Sequence, residues 1–247
     1  PKNALVIRRI VSDEASSFKD LEQAVSLDPA LTANILKLAN SPYFGVSRQI
    51  NGLRQALILI GFEATRDLAL ALSLLSVPRL RAVGAEHLWQ HSAATAALSR
   101  ALAQHLAPTM AEEAFVAGLL HDVGKLIRCL IQTPNAVFEQ EPSTDESLLT
   151  ERQRDGFDHA ELGAACLEHW NLSDATCSAI RHHHRPTDLS VEDPAGRLAR
   201  IIWIADGTDR DRGRNEDDWA IVLSRLELDN ELASDTLTRI IADIITT

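Results

Sequence analysis

Along most of the chain apolar residues recur at intervals of three and four, and no convincing stretch alternates apolar with polar. The pattern predicts an all-α protein. Ser17, followed three residues later by Asp20, has the form of a capping box and opens the helix FKDLEQAVSL. Asp28 and Pro29 have the form of an N-cap and first helical residue for ALTANILKLAN, which ends at Asn40, Ser41 and Pro42 ahead of the connection YFGVSRQING. From Leu53 the segment is apolar on nearly every face, continues past Gly61 and reaches Ser76 before Pro78. That is the pattern of a helix buried between others. Further helices are expected from about Ala85 to Ala107, Ala111 to Ile131, His159 to Trp170, Asp174 to His183 and Pro194 to Asp206, with a C-terminal pair from Trp219 onward. Loops are expected at EQEPSTDES, HRPTDLSVEDP and GTDRDRGRNEDD.

Length turns this list into an architecture. At 247 residues the chain can fill one sizeable core but is short for two independent ones. The expectation is one unit over residues 1–247, with an N-terminal helical lobe over 1–80 and a second lobe over 81–247. A formal net charge of −11 argues against nucleic acid and against an anionic membrane surface as partners. Cys129, Cys166 and Cys177 lie in apolar helical patterns without CxxC spacing, which suits free thiols in a reducing compartment. The longest apolar stretch is broken by Glu63, Arg66 and Asp67 and cannot span a bilayer, so the location expected is cytoplasmic. A chain opening at Pro1 without methionine is expected to belong to a longer protein with a sensor or effector domain.

The chemistry gathers in AGLLHDVGKLI, residues 117–127, where a histidine, an aspartate and a lysine interrupt an apolar run. Buried groups of this kind are costly unless satisfied. Two readings stay open for His121 and Asp122: a hydrogen-bonded pair that supports packing, or a metal site. His91, His159, His182, His183 and Asp206 fall in or at the ends of other predicted helices, and a bundle can aim inward side chains from several helices at one point. Imidazoles and carboxylates without cysteine are the donor set of Zn, Fe or Mn, and disfavour a structural zinc. The two oxygens of Asp122 could bridge two such divalent ions, and a pair of ions suits attack on phosphorus. Lys125 would then neutralise a phosphate oxygen, or else extend its ammonium to solvent.

His91, then His121 and Asp122 in HDVGK, then Asp206, resemble the ordered signature of the HD superfamily of metal-dependent phosphohydrolases. His159 in DHAELGA and the His182, His183 pair resemble the extra ligands of its HD-GYP branch. The chain departs from that branch in HRPTDLS, which lacks the glutamate and the glycine-tyrosine-proline loop, and in His87, which stands where a third-metal carboxylate is expected. LEQAVSLDPALTANILKLANSPYFG and INGLRQALILIGFEATRDLALA resemble HDOD domains, the HD-related output domains of bacterial signalling proteins. The resemblance implies an HD-like bundle with an N-terminal helical lobe and a regulatory role exercised on signalling proteins. It implies metal ligands at His91, His121, Asp122, His159, His182, His183 and Asp206. The alternative it carries is a metal-dependent phosphohydrolase acting on a nucleotide or other phosphoester, with Asp122 and Lys125 as catalytic residues. His184 is read as an exposed loop residue.

Overall fold

A computed structural model describes residues 10, 16–27, 29–40, 44, 49–61, 65, 86–131, 145–170, 172–210, 223–224, 226, 228 and 233–245. Among these, eleven α-helices and no strand occur. They are α1 (Phe18–Ser26), α2 (Pro29–Ala39), α3 (Leu53–Ile60), α4 (Glu86–Leu106), α5 (Ala111–Leu120), α6 (Val123–Ile131), α7 (Asp145–Asp155), α8 (His159–His169), α9 (Asp174–Arg181), α10 (Pro194–Arg210) and α11 (Ser234–Ile245). The protein is an all-α bundle.

Local chemistry sets the ends of these helices. The box at α1 is complete: the Ser17 side chain accepts from the Asp20 amide, and the Asp20 carboxylate accepts from the Ser17 amide. A second box, Asp158 with Glu161, opens α8 and fixes the chain direction at His159. Asn40, past the end of α2, donates to the Leu36 and Ile50 carbonyls and accepts from the Ile50 amide, so one side chain ties the end of α2 to Ile50.

Two apolar cores share α5. Leu21, Val25, Leu31, Ile35, Leu57 and Ile60 of α1 to α3 pack with Phe115, Leu119, Leu120, Val123, Leu167 and Ile180. Leu98 and Leu102 of α4 pack with Ala114 and Ala117, with Leu198, Ile201 and Ile202 of α10, and with Leu237 of α11. Every residue of α5 except Glu112 and Glu113 is buried, which places its C-terminal end in the interior. Each fully buried leucine in such a core stabilises the fold by about 1.5–3 kcal/mol.

Four expectations are corrected. The helix from Leu53 does not run on through Gly61: it stops at Ile60, and Gly61 takes a φ of 94°, a conformation open to glycine. The remaining stretch to Ser76 apart from Thr65, the lobe boundary near residue 80, and Trp219 lie outside the described residues. The helix expected over Ala111 to Ile131 is broken in two by a turn at His121 and Asp122. Helix α7 was not expected, and EQEPSTDES is helical from Asp145. Finally, α9 ends at Arg181 instead of His183, while α10 continues past Asp206 to Arg210.

Candidate metal centre

The turn between α5 and α6 is the structural reason for HDVGK. Gly118 lies so close to α4 that a Cβ there would come within 2.6 Å of Ser99 Oγ and 3.0 Å of Ala96 Cα, which seats the end of α5 beside the helix that carries His91. Gly124 is packed against the backbone of α8 at His159 and Gly163. With both helices pressed onto backbone, His121 and Asp122 stand between α4 and α8. From α9, the turn after Arg181 adds His183 and His184, and α10 adds Asp206.

Two groups of ligand atoms result, and Asp122 belongs to both. Asp122 Oδ1 lies 3.2 Å from His159 Nε2 and 4.0 Å from His183 Nε2. His184 Nε2 is 2.9 Å from His159 Nε2. These four residues offer one ligand atom each, all within 4.8 Å of one another. On the other side, Asp122 Oδ2 lies 3.4 Å from His121 Nε2 and 3.9 Å from His91 Nε2, and the three residues meet the same limit. Asp206 Oδ1 adjoins this group at 3.0 Å from His91 Nε2 and 3.7 Å from His121 Nε2. Lys125 Nζ holds Asp122 Oδ2 at 2.6 Å.

The ring nitrogens are set for coordination. A carbonyl oxygen can only accept, so the nitrogen beside it carries a hydrogen, and in the neutral ring the other nitrogen presents its lone pair. His121 Nδ1 donates to Gly118 O at 2.7 Å and His183 Nδ1 to Ile180 O at 2.6 Å, each one turn back along its helix. Their Nε2 atoms therefore face the centre. His121 Nε2, His183 Nε2 and Asp122 Oδ1 are all buried without a hydrogen-bond partner. Orphaned buried atoms of this kind are rare, and these three, one histidine nitrogen in each group with Asp122 between them, fit cations that would satisfy them.

Charge follows the same arrangement. Burial works against ionisation of Asp122, but the neighbouring His121 and Lys125 charges hold its carboxyl well below the usual carboxylate range. Burial works against ionisation of Asp206 as well, but the neighbouring His121 and His91 hold its carboxyl well below that range. Burial alone would lower His121, yet Asp122 and Asp206 outweigh it and raise its pKa to about 10. Burial, then the charges of His121 and His159, pushes His183 down to about 3 and keeps that imidazole neutral. Burial also lowers His184.

The structure thus brings together His91, His121, Asp122, His159, His183 and Asp206. His182 belongs to neither group: its Nδ1 donates to Ser178 O at 2.8 Å. His184 takes that place and is half-buried against His159, not an exposed loop residue. The pair that meets the centre is therefore His183 and His184, because α9 ends before it and the following turn rotates the next two side chains inward. Sequence reading also missed Glu151, on the unexpected α7, which accepts from His159 Nδ1 at 2.9 Å. Cys129, Cys166 and Cys177 form no disulfide among the described residues and take no part in either group.

Comparison with known proteins accords with this geometry. Residues 1–186 match the HDOD domain family. The chain belongs to the HDOD family. An uncharacterised protein of Treponema pallidum (strain Nichols) is 24% identical over 193 residues, which are 74% of this chain and 37% of that protein. The HDOD chain thus spans little more than a third of that curated relative. Among solved structures, a candidate phosphohydrolase from Shewanella amazonensis SB2B superposes with a TM-score of 0.68 at 22% identity, over 100% of this chain and 89% of that one. An HDOD domain protein of unknown function from Geobacter sulfurreducens gives 0.63 at 20% identity, covering 100% and 88%. The MmoQ response regulator of Methylococcus capsulatus (strain Bath) gives 0.53 at 27% identity, covering 97% and 95%. Among the described residues, no helix is long and apolar enough to cross a membrane.

Proposed function

We propose that this chain is a signalling module whose bundle holds two divalent cations on the shared carboxylate of Asp122 and acts with them on a phosphoester. The observation that carries the reading is the position of Asp122, with one oxygen facing His159 and His183 and the other facing His91 and His121. His91, His121 and Asp206 would hold one cation, and His159, His183 and His184 the other. The all-nitrogen and oxygen donor set suits Fe, Mn or Zn. A pair of such cations supplies electrophilic polarisation of a phosphoryl oxygen and a neutral-pH source of hydroxide.

The protein's own groups supply the rest. His121 and His183 are held by backbone carbonyls with Nε2 directed inward, so the donors are placed before anything binds. Lys125, with a side chain 17% exposed, stands at the rim, and its ammonium can donate to a phosphate oxygen while remaining near Asp122. Nucleotides and other phosphoesters are the substrate class.

The test is hydrolysis of a simple phosphodiester, bis(p-nitrophenyl) phosphate, and of a nucleotide panel by protein loaded with Mn, Fe or Zn. Metal-dependent turnover that is abolished in Asp122→Asn is expected. A chain that binds two cations and turns over no phosphoester contradicts the proposal and favours a second reading, in which the centre stabilises a module that acts on signalling proteins. Two observations favour that alternative. Helices α1 to α3 share a core with Leu120 and Val123, the residues flanking His121 and Asp122, and Leu27 and Ile58 near them are 63% and 64% exposed.

A further inference from the structure

His159 differs from the other inward histidines in its place on its helix. His121 and His183 follow the ends of their helices, where carbonyls of the preceding turn are free to accept from Nδ1. His159 is the first residue of α8, and a helix start presents amide hydrogens instead of carbonyls. Its acceptor must come from elsewhere, and it comes from α7. Glu151 Oε2 accepts from the His159 amide at 2.7 Å and from His159 Nδ1 at 2.9 Å. Glu151 Oε1 is paired with Arg128 Nη1, and Arg128 is in turn fixed by Asp155 at 3.0 Å from Nε and 2.8 Å from Nη2. The Glu151 side chain is 14% exposed, so the contact is shielded from water.

We infer that Glu151 is the positioning residue for His159. It fixes the ring with hydrogen on Nδ1 and Nε2 turned toward Asp122 and His184, and thereby sets the affinity of the cation position formed by Asp122, His159, His183 and His184 alone. The inference rests on the two-cation reading above. The same carboxylate that orients the ring also carries a negative charge, which strengthens the opposite nitrogen as a donor, as carboxylate partners of metal-binding histidines do. Among the Nδ1 contacts described, those of His121 and His183 run to neutral carbonyls, so only this one of the three can be removed by a side-chain substitution.

The experiment titrates the metal-free chain with Zn or Mn by calorimetry, comparing the unaltered protein with Glu151→Ala, Glu151→Gln and the exposed control Glu168→Gln. Glu151→Ala is expected to weaken one binding event about 10- to 100-fold and leave the other unchanged. Glu151→Gln keeps an oxygen for His159 but loses the charge, and falls between. The control changes neither event. If Glu151→Ala weakens both events equally, or neither, the inference is overturned. Long-range 1H–15N NMR of the metal-free chain at alkaline pH gives a second readout that needs no metal. The neutral His159 ring is expected to carry its hydrogen on Nδ1 in the unaltered chain and to lose that preference in Glu151→Ala. An unaltered chain with the hydrogen on Nε2 overturns the positioning role. Should the unaltered chain take up no cation, the two-cation reading and the affinity effect fall together, and the NMR spectrum alone decides whether Glu151 holds His159.

Discussion

Gly124 and His159 meet backbone to backbone: a Cβ added at Gly124 would stand 1.8 Å from the His159 carbonyl oxygen and 2.7 Å from its carbonyl carbon. No side-chain rearrangement relieves a clash with backbone, so Gly124→Ala must part α6 from α8. The expected cost is at least about 2–3 kcal/mol in urea unfolding, with weakened metal uptake because Asp122 moves away from His159. Gly207, one residue past Asp206 in α10, has nothing within 4 Å of the same added atom. Gly207→Ala is therefore expected to stabilise the fold by about 0.5–1 kcal/mol through helix propensity.

Lys125 holds the Asp122 oxygen for which a cation on the His91 side would compete. Removing the ammonium in Lys125→Met leaves the buried Asp122 carboxylate short of a positive neighbour, and the metal-free protein is expected to lose about 1–3 kcal/mol. Metal affinity, read by calorimetry, is expected to rise, because Asp122 Oδ2 no longer has to be taken from Nζ. Phosphoester turnover is expected to fall in the same variant. A variant with weaker metal binding would show that Lys125 supports the cation instead of displacing it.

Arg200 carries much of the packing behind the centre. It is 1% exposed, and its guanidinium donates to the carbonyls of Leu226, Pro186, Leu189 and Gly196. Two of those acceptors lie in the segment directly after His183 and His184. Arg200→Met is expected to destabilise by about 3 kcal/mol or more, since several buried carbonyls lose their donor at once. Arg200→Lys is expected to recover little of it, as a single ammonium cannot span carbonyls arranged around a planar fork. Thermal melts of both variants check this.

The capping box at α1 gives a pH dependence with a definite sign. Hydrogen bonds from the Ser17 hydroxyl and amide, against a weak opposing effect of burial, hold the Asp20 carboxyl below its ordinary value. The folded pKa lies below the unfolded one, so this contribution is present above the unfolded pKa of about 3.9 and is lost as pH falls through the folded value. The melting temperature of Asp20→Asn is expected to lie below that of the unaltered chain at neutral pH, and the gap is expected to close in acid. A gap that persists in acid would assign the effect to shape and not to charge.

What could be read from the sequence, and what could not, divides along physical lines. His91 and Asp206 lie within helices that the apolar periodicity predicts, whereas His121, Asp122 and His159 are legible through the resemblance of HDVGK and DHAELGA to family motifs. The histidine run is different. Which two of His182, His183 and His184 face inward depends on where α9 ends and how the next turn rotates, and helix boundaries are weakly encoded. Helix α7, DESLLTERQRD, buries Leu148 but presents charge on most of its surface, so it carries little periodic signal. Glu151 was hidden with it. The break at His121 and Asp122 was also illegible, because AGLLHDVGKLI keeps its apolar residues at helical spacing through the turn. The backbone contact of Gly124 with α8 becomes visible only once the helices are assembled.

The central claim is that one carboxylate serves two cation positions. Elemental analysis of the metal-loaded protein tests it directly, with Asp122→Asn, His91→Ala and His184→Ala measured alongside and their folds checked by circular dichroism. The account predicts about two equivalents of Fe, Mn or Zn in the unaltered chain, about one in each histidine variant, and none in Asp122→Asn. Retention of both ions in Asp122→Asn, or no uptake by a folded unaltered chain, would contradict it.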